Sequence, residues 1–247
     1  MTDYRIRPMA PGDVDGLVRL HRGCEDPWSN PEECAAWVER RLERDFLLRV
    51  AVAGSDILAH GEWLASDEPE GRMLYLGMLQ VEDRHQGQGI GRAMIADGEM
   101  LARSQGCGKL VTVPDEDTGS EAFYAKCGFA EAGRLLSCTL PTLDAPGEAL
   151  EAAPIAEVPE TVLPELSLRL GLAQACSRHM WEVNNRKPRT DGRLAPAFAL
   201  PGGGYAQLAY GPQDRSAFAL YWGPPIHRGL VRALRRLGHA RGLKSVQ

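Results

Sequence analysis

The segment Gln86-Gly87-Gln88-Gly89-Ile90-Gly91-Arg92 constrains the fold more than any other part of the chain. It follows an apolar run at residues 73–81 and precedes a helical pattern that ends at Gly106. A strand, a glycine-rich loop and a helix in this order place bare backbone amides at a helix N-terminus, where the helix dipole adds positive potential. The segment therefore predicts a loop that binds phosphate.

Composition narrows the class of protein. The 247 residues, 44% hydrophobic and 25% charged, are typical of a globular protein with one large or two modest domains. The net charge of -5 argues against a general nucleic-acid binder, and no apolar stretch is long enough to span a membrane. The N-terminus lacks the apolar core of a signal peptide, and the six cysteines show no paired spacing. We expect a cytoplasmic protein with reduced thiols, no metal, and neither nucleic acid nor membrane as a partner.

Hydrophobic periodicity predicts alternating strands and helices in the first half of the chain. The fold class is α+β, with a mixed, mostly antiparallel sheet flanked by helices. The predicted elements are a strand at residues 4–7, a helix capped by Asp13, a helix at residues 30–43, strands at residues 47–53, 57–64 and 73–81, a helix at residues 92–105, a buried strand at residues 110–113, a helix at residues 120–127 and a strand at residues 129–140.

The second half has a similar order of elements. Residues 141–164 are rich in Pro, Ala and Glu and predict a linker with one short strand. Beyond it we expect a helix from residue 163 to about 185 and a helix that ends at Gly242, and between them the strands at residues 195–200, 205–210 and 217–222. A shift of 136 positions places Ile90 on Ile226, Arg92 on Arg228, Leu101 on Leu237 and Gly106 on Gly242. We therefore predict domains at residues 1–140 and 165–247, the second a degenerate or truncated copy of the first.

Three motifs in order show that residues 1–140 resemble the GNAT superfamily of N-acetyltransferases. They are Gln86-Gly87-Gln88-Gly89-Ile90-Gly91, the preceding Leu79-Gln80-Val81, and Ala122-Phe123-Tyr124-Ala125-Lys126-Cys127-Gly128-Phe129. The resemblance implies an enzyme that moves an acetyl group from acetyl-coenzyme A (acetyl-CoA) directly to a primary amine. A non-catalytic acyl-CoA sensor or scaffold is the alternative.

The resemblance also implies which residues bind the cofactor. Residues 86–92, which are Gln86, Gly87, Gln88, Gly89, Ile90, Gly91 and Arg92, would hold the pyrophosphate, and the three glycines allow its close approach. The backbone of Leu79, Gln80 and Val81 would pair with the pantetheine arm and hold the thioester oxygen. Asp117 stands where the family commonly has an Asn beside the pantetheine.

Acetyl transfer to an amine needs a base for the amine and an acid for the departing thiolate. Tyr124 matches the general acid of the family, and a core aromatic beside Phe123 and Phe129 is its alternative role. Residues 75–77, on the strand where the family often keeps its base, contain no carboxylate. Glu62, on the neighbouring strand, is the candidate base. An ordinary strand carboxylate and deprotonation relayed by water are the alternatives.

The second half lacks the glycine loop. Gly223-Pro224-Pro225-Ile226-His227 stands in its place, and two prolines remove two backbone donors. We therefore expect only the first half to bind coenzyme A. The acceptor is predicted to be a small-molecule or protein amine, with a mild preference for a cation because the chain is acidic. The protein is expected to be a monomer or a homodimer.

Overall fold

The computed structural model describes residues 3–21, 30–42, 46–114, 119–133, 138–142, 154–155, 166–170, 197–200, 203–210 and 216–246. The chain forms two compact units. The first comprises Met1–Ser66 and Gly71–Ala130, and the second comprises Asp67–Glu70 and Glu131–Gln247. Within the described ranges, no helix has the length and apolar character needed to cross a membrane.

The first unit is built on a five-stranded sheet with the strand order β1-β2-β3-β4-β5. β1 pairs antiparallel with β2, and β2 with β3, whereas β4 and β5 run parallel. The elements are β1 (Arg5–Pro8), α1 (Val14–Leu20), α2 (Pro31–Leu42), β2 (Leu47–Ala53), β3 (Asp56–Glu68), β4 (Gly71–Val81), α3 (Ile90–Ser104), β5 (Lys109–Thr112) and α4 (Ser120–Lys126). The predicted fold class and the order of elements up to α4 are confirmed.

Two residues were predicted to cap helix N-termini, and one of them forms the capping hydrogen bond. Asn30 caps α2, because its Oδ1 accepts a hydrogen bond from the backbone N–H of Glu33 at 2.8 Å. Asp13 is the N-cap residue of α1 as predicted, but its side chain forms no capping hydrogen bond with that helix. The Asp13 carboxylate instead accepts two hydrogen bonds from the guanidinium of Arg7, at 2.6 and 2.7 Å, and one from the Ala10 N–H at 2.7 Å. Arg7 holds the pKa of Asp13 below its usual value through these bonds.

α3 packs on the sheet through a close approach at Gly98. A Cβ built there would stand 2.3 Å from Cη2 of Trp63, which is fully buried on β3. Two buried clusters lie between α3 and the sheet, one around Trp63 and one around Met94. Arg49 of β2 and Asp97 of α3 add a bidentate ion pair with both N–O distances at 2.7 Å. These contacts fix α3, and with it the loop that precedes the helix.

Two features of this unit differ from the sequence prediction, namely the start of α3 and the burial of β5. α3 begins at Ile90 rather than at residue 92, so the last glycine of the loop is already helical. β5 is half-buried rather than buried, because it is the last strand of the described sheet. Gly106, with φ +67°, follows the end of α3 as predicted. Four cysteines in the described part of the chain are free thiols: Cys34, Cys107, Cys127 and Cys138.

The second unit has its own sheet, with the order β6-β12-β11-β10-β9-β7, and β8 also pairs with β11. β11 and β12 run parallel on either side of a helix in sequence. The elements are β6 (Leu140–Pro141), β7 (Pro154–Ile155), β8 (Leu168–Leu170), β9 (Ala197–Ala199), β10 (Tyr205–Tyr210), β11 (Ser216–Trp222), α5 (Arg228–Ala240) and β12 (Ser245–Val246). A buried cluster that includes Tyr221, Leu234 and Val246 forms its core.

Two predictions for the later part of the chain are wrong. Among the described residues of the strand predicted at residues 129–140, only Leu140 lies in a strand. It begins β6, which pairs with β12 of the second sheet. A pairing partner more than 100 residues away has no local signature. The helix predicted from residue 163 to 185 is a strand at Leu168–Leu170, where pairing with β11 outweighs the helical spacing of leucines. Residues 171–185 lie outside the described part.

The ends of α3 and α5 share one hydrogen-bond pattern at a constant offset. Backbone N–H groups of Gln105, Gly106 and Cys107 donate to the carbonyls of residues 101, 103 and 102. The N–H groups of Arg241 and Gly242 donate to the carbonyls of residues 237 and 239, and residue 243 donates to residue 238. Each of these bonds is displaced by the 136 positions found in the sequence. Both helices then lead into a strand that runs parallel to the strand before the helix.

Candidate active site

The glycine loop connects the end of β4 to α3. Gly87 and Gly89 adopt left-handed backbone angles, with φ of +72° and +89°, and a Cβ at either would meet nothing within 4 Å. Gly89 is also the N-cap residue of α3, and it has no side chain to cover the first amides of the helix. The loop therefore exposes backbone donors at the positive end of a helix, which suits an anionic group.

Two glutamines brace this loop from within. The amide of Gln86 donates to the Val81 carbonyl at 3.2 Å and to Asp83 Oδ1 at 2.9 Å. The amide of Gln88 donates to the Arg84 carbonyl at 3.0 Å. Both side chains thus hold the loop backbone in shape, and the sequence alone did not show this role.

Gly91 is small for a different reason from the other loop glycines. Its φ is not left-handed, and a Cβ there would stand 3.1 Å from Cζ of Phe123 on α4. Arg92 adds a second link to α4, because its guanidinium donates to the Lys126 carbonyl at 3.1 Å. The side chain of Ile90 is 1% exposed and belongs to the core, so only its backbone faces the loop. The loop and α4 are therefore packed as one piece.

β4 and β5 stop pairing part of the way along β4. The parallel register runs from Met73 opposite Lys109 to Leu76 opposite Thr112, where β5 ends. β4 continues to Val81, so Leu79, Gln80 and Val81 lie beyond the paired segment. The side chains of Leu79 and Val81 pack against the core. Their backbone lies where an extended ligand can pair as an additional strand.

Tyr124 lies on α4, half-buried between two other aromatic rings. Its ring centroid is 5.1 Å from that of Phe123 and 5.4 Å from that of Phe129, both in edge-to-face geometry. It packs against the cluster around Trp63. The structure therefore assigns Tyr124 a packing role and places it one residue from the ring that contacts Gly91. Asp117 lies outside the described residues.

Glu62 is a buried carboxylate at the point where β4 leaves β5. The backbone carbonyl oxygen of Glu62 lies 4.0 Å from the position that a Cβ on Gly77 would take. Gly77 is the first β4 residue after the paired segment. The side chain is 2% exposed, and Oε1 has no hydrogen-bond partner among the described residues. Burial raises the pKa of Glu62 to about 7, although Arg41 opposes that rise. A carboxylate with this pKa can take up and release a proton near neutral pH.

The contacts of Glu62 were not predicted from the sequence. Arg41 Nε lies 3.4 Å from Glu62 Oε2, and the Arg41 guanidinium stacks over the rings of Trp37 and Phe46. His60, two residues before Glu62, lies 3.3 Å from His21 between ring nitrogens. A signal was present, because His60 and Glu62 are polar residues two apart within the otherwise apolar segment at residues 57–64. Among the described residues, no group of three or more His, Cys, Asp or Glu side chains is placed to hold a metal ion.

Comparison with known proteins gives a family match for the first half of the chain and a set of similar folds. A model of the acetyltransferase (GNAT) family matches residues 15–129. An aminoglycoside N-acetyltransferase solved in complex with CoA aligns with a TM-score of 0.50 and 17% identity, over 56% of this chain and 95% of its own. Glucosamine-6-phosphate N-acetyltransferase from Arabidopsis thaliana aligns with a TM-score of 0.48 and 20% identity, over 55% and 97% of the two chains. An acetyltransferase from Trypanosoma brucei aligns with a TM-score of 0.49 and 22% identity, over 55% of this chain and 99% of its own. No curated protein matches the chain.

The family match defines the class of protein as acetyltransferases. Residues 15–129 form a domain of the GNAT acetyltransferase family. The protein is therefore an acetyl-CoA-dependent acetyltransferase.

Proposed function

We propose that this enzyme transfers the acetyl group directly to a primary amine, with Glu62 as the general base and Tyr124 as the general acid. The observation that carries the proposal is the position of Glu62. It is a buried carboxylate on β3 whose backbone carbonyl lies beside Gly77, where β4 and β5 part, in the domain that holds the glycine loop. Gly77 is exposed and has no side chain, so it leaves room over β4 for an acceptor.

The chemistry of an amine acceptor requires such a base. A primary amine is mostly an ammonium ion at neutral pH, and it must lose a proton before nitrogen can attack a carbonyl. When it does, the N–H electron pair stays on nitrogen and the proton moves to a carboxylate oxygen of Glu62. A pKa of about 7 allows Glu62 to accept that proton and then release it to solvent.

The residues of the first unit fit a CoA thioester. We assign the pyrophosphate to the backbone of residues 86–92, where Gly87 and Gly89 leave open space, and Gln86 and Gln88 maintain the loop. The backbone of Leu79, Gln80 and Val81 is assigned to the pantetheine arm and the thioester oxygen, because it continues past the end of β5. When bound, acetyl-CoA supplies the acetyl group as a thioester. Asp117 remains a candidate contact to the pantetheine.

Tyr124 is proposed to donate a proton to the leaving thiolate. The support is its position on α4, directly after the residue that packs on Gly91 of the loop. Neutral Tyr hydroxyls are donors, and the edge-to-face contacts with Phe123 and Phe129 hold the ring in one orientation. The acceptor class is a primary amine on a small molecule or a protein.

We further infer that the second domain, at residues 165–247, is a degenerate copy of the first that binds no coenzyme A. The 136-residue offset of the helix-end hydrogen bonds and the parallel strands around α5 support this inference. Pro224 and Pro225 lack the N–H groups that a phosphate needs. Isothermal titration of the full chain with CoA should give one binding equivalent, and a second equivalent would contradict the inference.

The proposed reaction is tested with the full-length protein, acetyl-CoA and a panel of primary amines: spermidine, kanamycin, glucosamine 6-phosphate and a peptide with an N-terminal amine. Release of the CoA thiol is measured for the wild type, Glu62→Gln and Tyr124→Phe. Glu99→Gln, an exposed carboxylate on α3, and Tyr205→Phe of the second unit are matched controls. Amine-dependent release that both site variants lose and both controls keep supports the proposal. CoA binding without turnover of any amine would support the alternative of an acyl-CoA sensor or scaffold.

A further inference from the structure

The guanidinium of Arg41 is held between two aromatic rings and a buried carboxylate. Its Cζ lies 4.4 Å from the ring centroid of Phe46 and 5.1 Å from that of Trp37. Both rings are buried, at 8% exposure each. Aromatic faces attract a cation at such distances and also limit its conformations. The position of the positive charge beside Glu62 is therefore fixed by packing as well as by attraction.

The Arg41 contact with Glu62 differs from a structural ion pair in the same unit. Arg49 and Asp97 form two hydrogen bonds of 2.7 Å each, which use both carboxylate oxygens. Arg41 Nε lies 3.4 Å from Oε2 of Glu62 and forms no hydrogen bond within the described part of the chain. Oε1 of Glu62 is buried and likewise has no hydrogen-bond partner there. The contact supplies charge attraction without occupying the carboxylate.

The other groups near Glu62 do not replace this charge. On its own strand, burial lowers the pKa of His60 to about 3, and at the end of α1 burial lowers the pKa of His21 to about 4. Both imidazoles are therefore neutral at physiological pH. β2 places Leu48 opposite Glu62, and β4 contributes Tyr75 beside Gly77. Of these neighbours, Arg41 is the cation.

We propose that Arg41 is a positioning residue that keeps Glu62 ionised in its buried site without forming a hydrogen bond to Oε1. Trp37 and Phe46 keep the guanidinium at this distance. The proposal rests on the role of Glu62 as the base. It assigns Arg41 no contact with the reacting atoms, so its effect should be on the pH at which the enzyme works and not on the chemistry of transfer.

The test compares Arg41→Met with Arg41→Lys. Met keeps an unbranched apolar chain against Trp37 and Phe46 and removes the charge, whereas Lys keeps the charge. The Glu62 carboxyl is followed by ¹³C NMR titration of the full-length protein, and its signal is assigned by its loss in Glu62→Gln. We expect the Glu62 midpoint to rise by about one pH unit or more in Arg41→Met. It should stay close to the wild-type midpoint in Arg41→Lys.

A kinetic measurement accompanies the titration. The acidic limb of the kcat/KM profile, measured with an amine from the panel, should move up by the same amount in Arg41→Met, and the plateau at high pH should be retained. A midpoint and limb that stay at the wild-type positions would overturn the role of Arg41. If Arg41→Met does not fold, Phe46→Leu, which removes one stacking face, should move the midpoint in the same direction, and no movement would overturn the role.

The role of Glu62 and the role of Arg41 can be refuted separately. If Glu62→Gln keeps the acidic limb, Glu62 is not the base and the proposed mechanism fails. If Glu62→Gln removes the limb and Arg41→Met leaves it in place, the mechanism stands and only the role of Arg41 fails.

Discussion

Phe123 packs into the space that the missing side chain of Gly91 leaves, with its Cζ 3.1 Å from where a Cβ would stand. This contact joins the first turn of α3 to α4. The hydrogen bond from Arg92 to the Lys126 carbonyl joins the same two helices. Gly91 thus helps to fix the position of Tyr124, the candidate acid, relative to the candidate cofactor loop. From the sequence, Gly91 was predicted only to allow the close approach of the ligand.

Gly91→Ala should reduce kcat more than it weakens CoA binding. The added methyl group forces Phe123 to shift by a few tenths of an ångström, and Tyr124 shifts with it. We expect a loss of about 1–3 kcal/mol in stability and about tenfold in kcat. Steady-state kinetics and urea unfolding measure both. Gly12→Ala, where a Cβ meets nothing within 4 Å, is the control. A wild-type kcat for Gly91→Ala would show that the contact does not position Tyr124.

Glu62 should make the stability of the protein depend on pH in the direction opposite to most carboxylates. Its folded-state pKa of about 7 lies above the unfolded value of about 4.5. As the pH rises between these values, the unfolded chain loses this proton first, so the folded state loses stability. Above pH 7 the loss stays constant, at a few kcal/mol in the largest case.

Glu62→Gln lacks this titration, so its stability should gain on that of the wild type as the pH rises from about 5 to about 8. Urea unfolding of both proteins at several pH values measures the difference. Parallel stability curves would mean that the Glu62 pKa is not raised in the folded protein.

Asp97 and Arg49 should form the most costly ion pair to break in the first unit. Asp97 is 4% exposed, and both of its oxygens accept hydrogen bonds of 2.7 Å. Asp97→Ala leaves a half-buried guanidinium without its partner, so we expect about 3–5 kcal/mol of destabilisation. Glu99→Gln, two residues further along α3, should change stability by about 0.5 kcal/mol or less. Equal unfolding midpoints for the two variants would contradict this assignment.

The sequence predicted those features whose causes are local. The glycine loop, the Asn30 cap and the Gly106 helix end depend on residues within a few positions of one another. Asp13 occupies the predicted N-cap position but lacks the capping bond, and its carboxylate instead binds Arg7 of another element. The pairing of β6 with β12 joins residues more than 100 positions apart, and no local pattern encodes it.

The candidate site was predicted only in part, because some of its contacts join residues that are far apart in the sequence. Glu62 was identified as a candidate base because it is the nearest carboxylate on the strand next to β4. Its contact with Arg41 depends on how α2 crosses the sheet, which the sequence does not reveal. Gly91 has a role in packing that only the position of α4 makes visible. The assignments of Tyr124 and Asp117 remain predictions.

The pH dependence of kcat/KM in the wild type and in Glu62→Gln shows whether Glu62 is the general base. With an amine from the panel, the wild-type value should rise with a slope of one proton through about pH 7 and then level off. Glu62→Gln should lose that limb and fall by about 10²-fold or more at neutral pH, as expected when a general base is removed. A Glu62→Gln enzyme with the wild-type rate and the wild-type limb would contradict the claim that Glu62 deprotonates the acceptor.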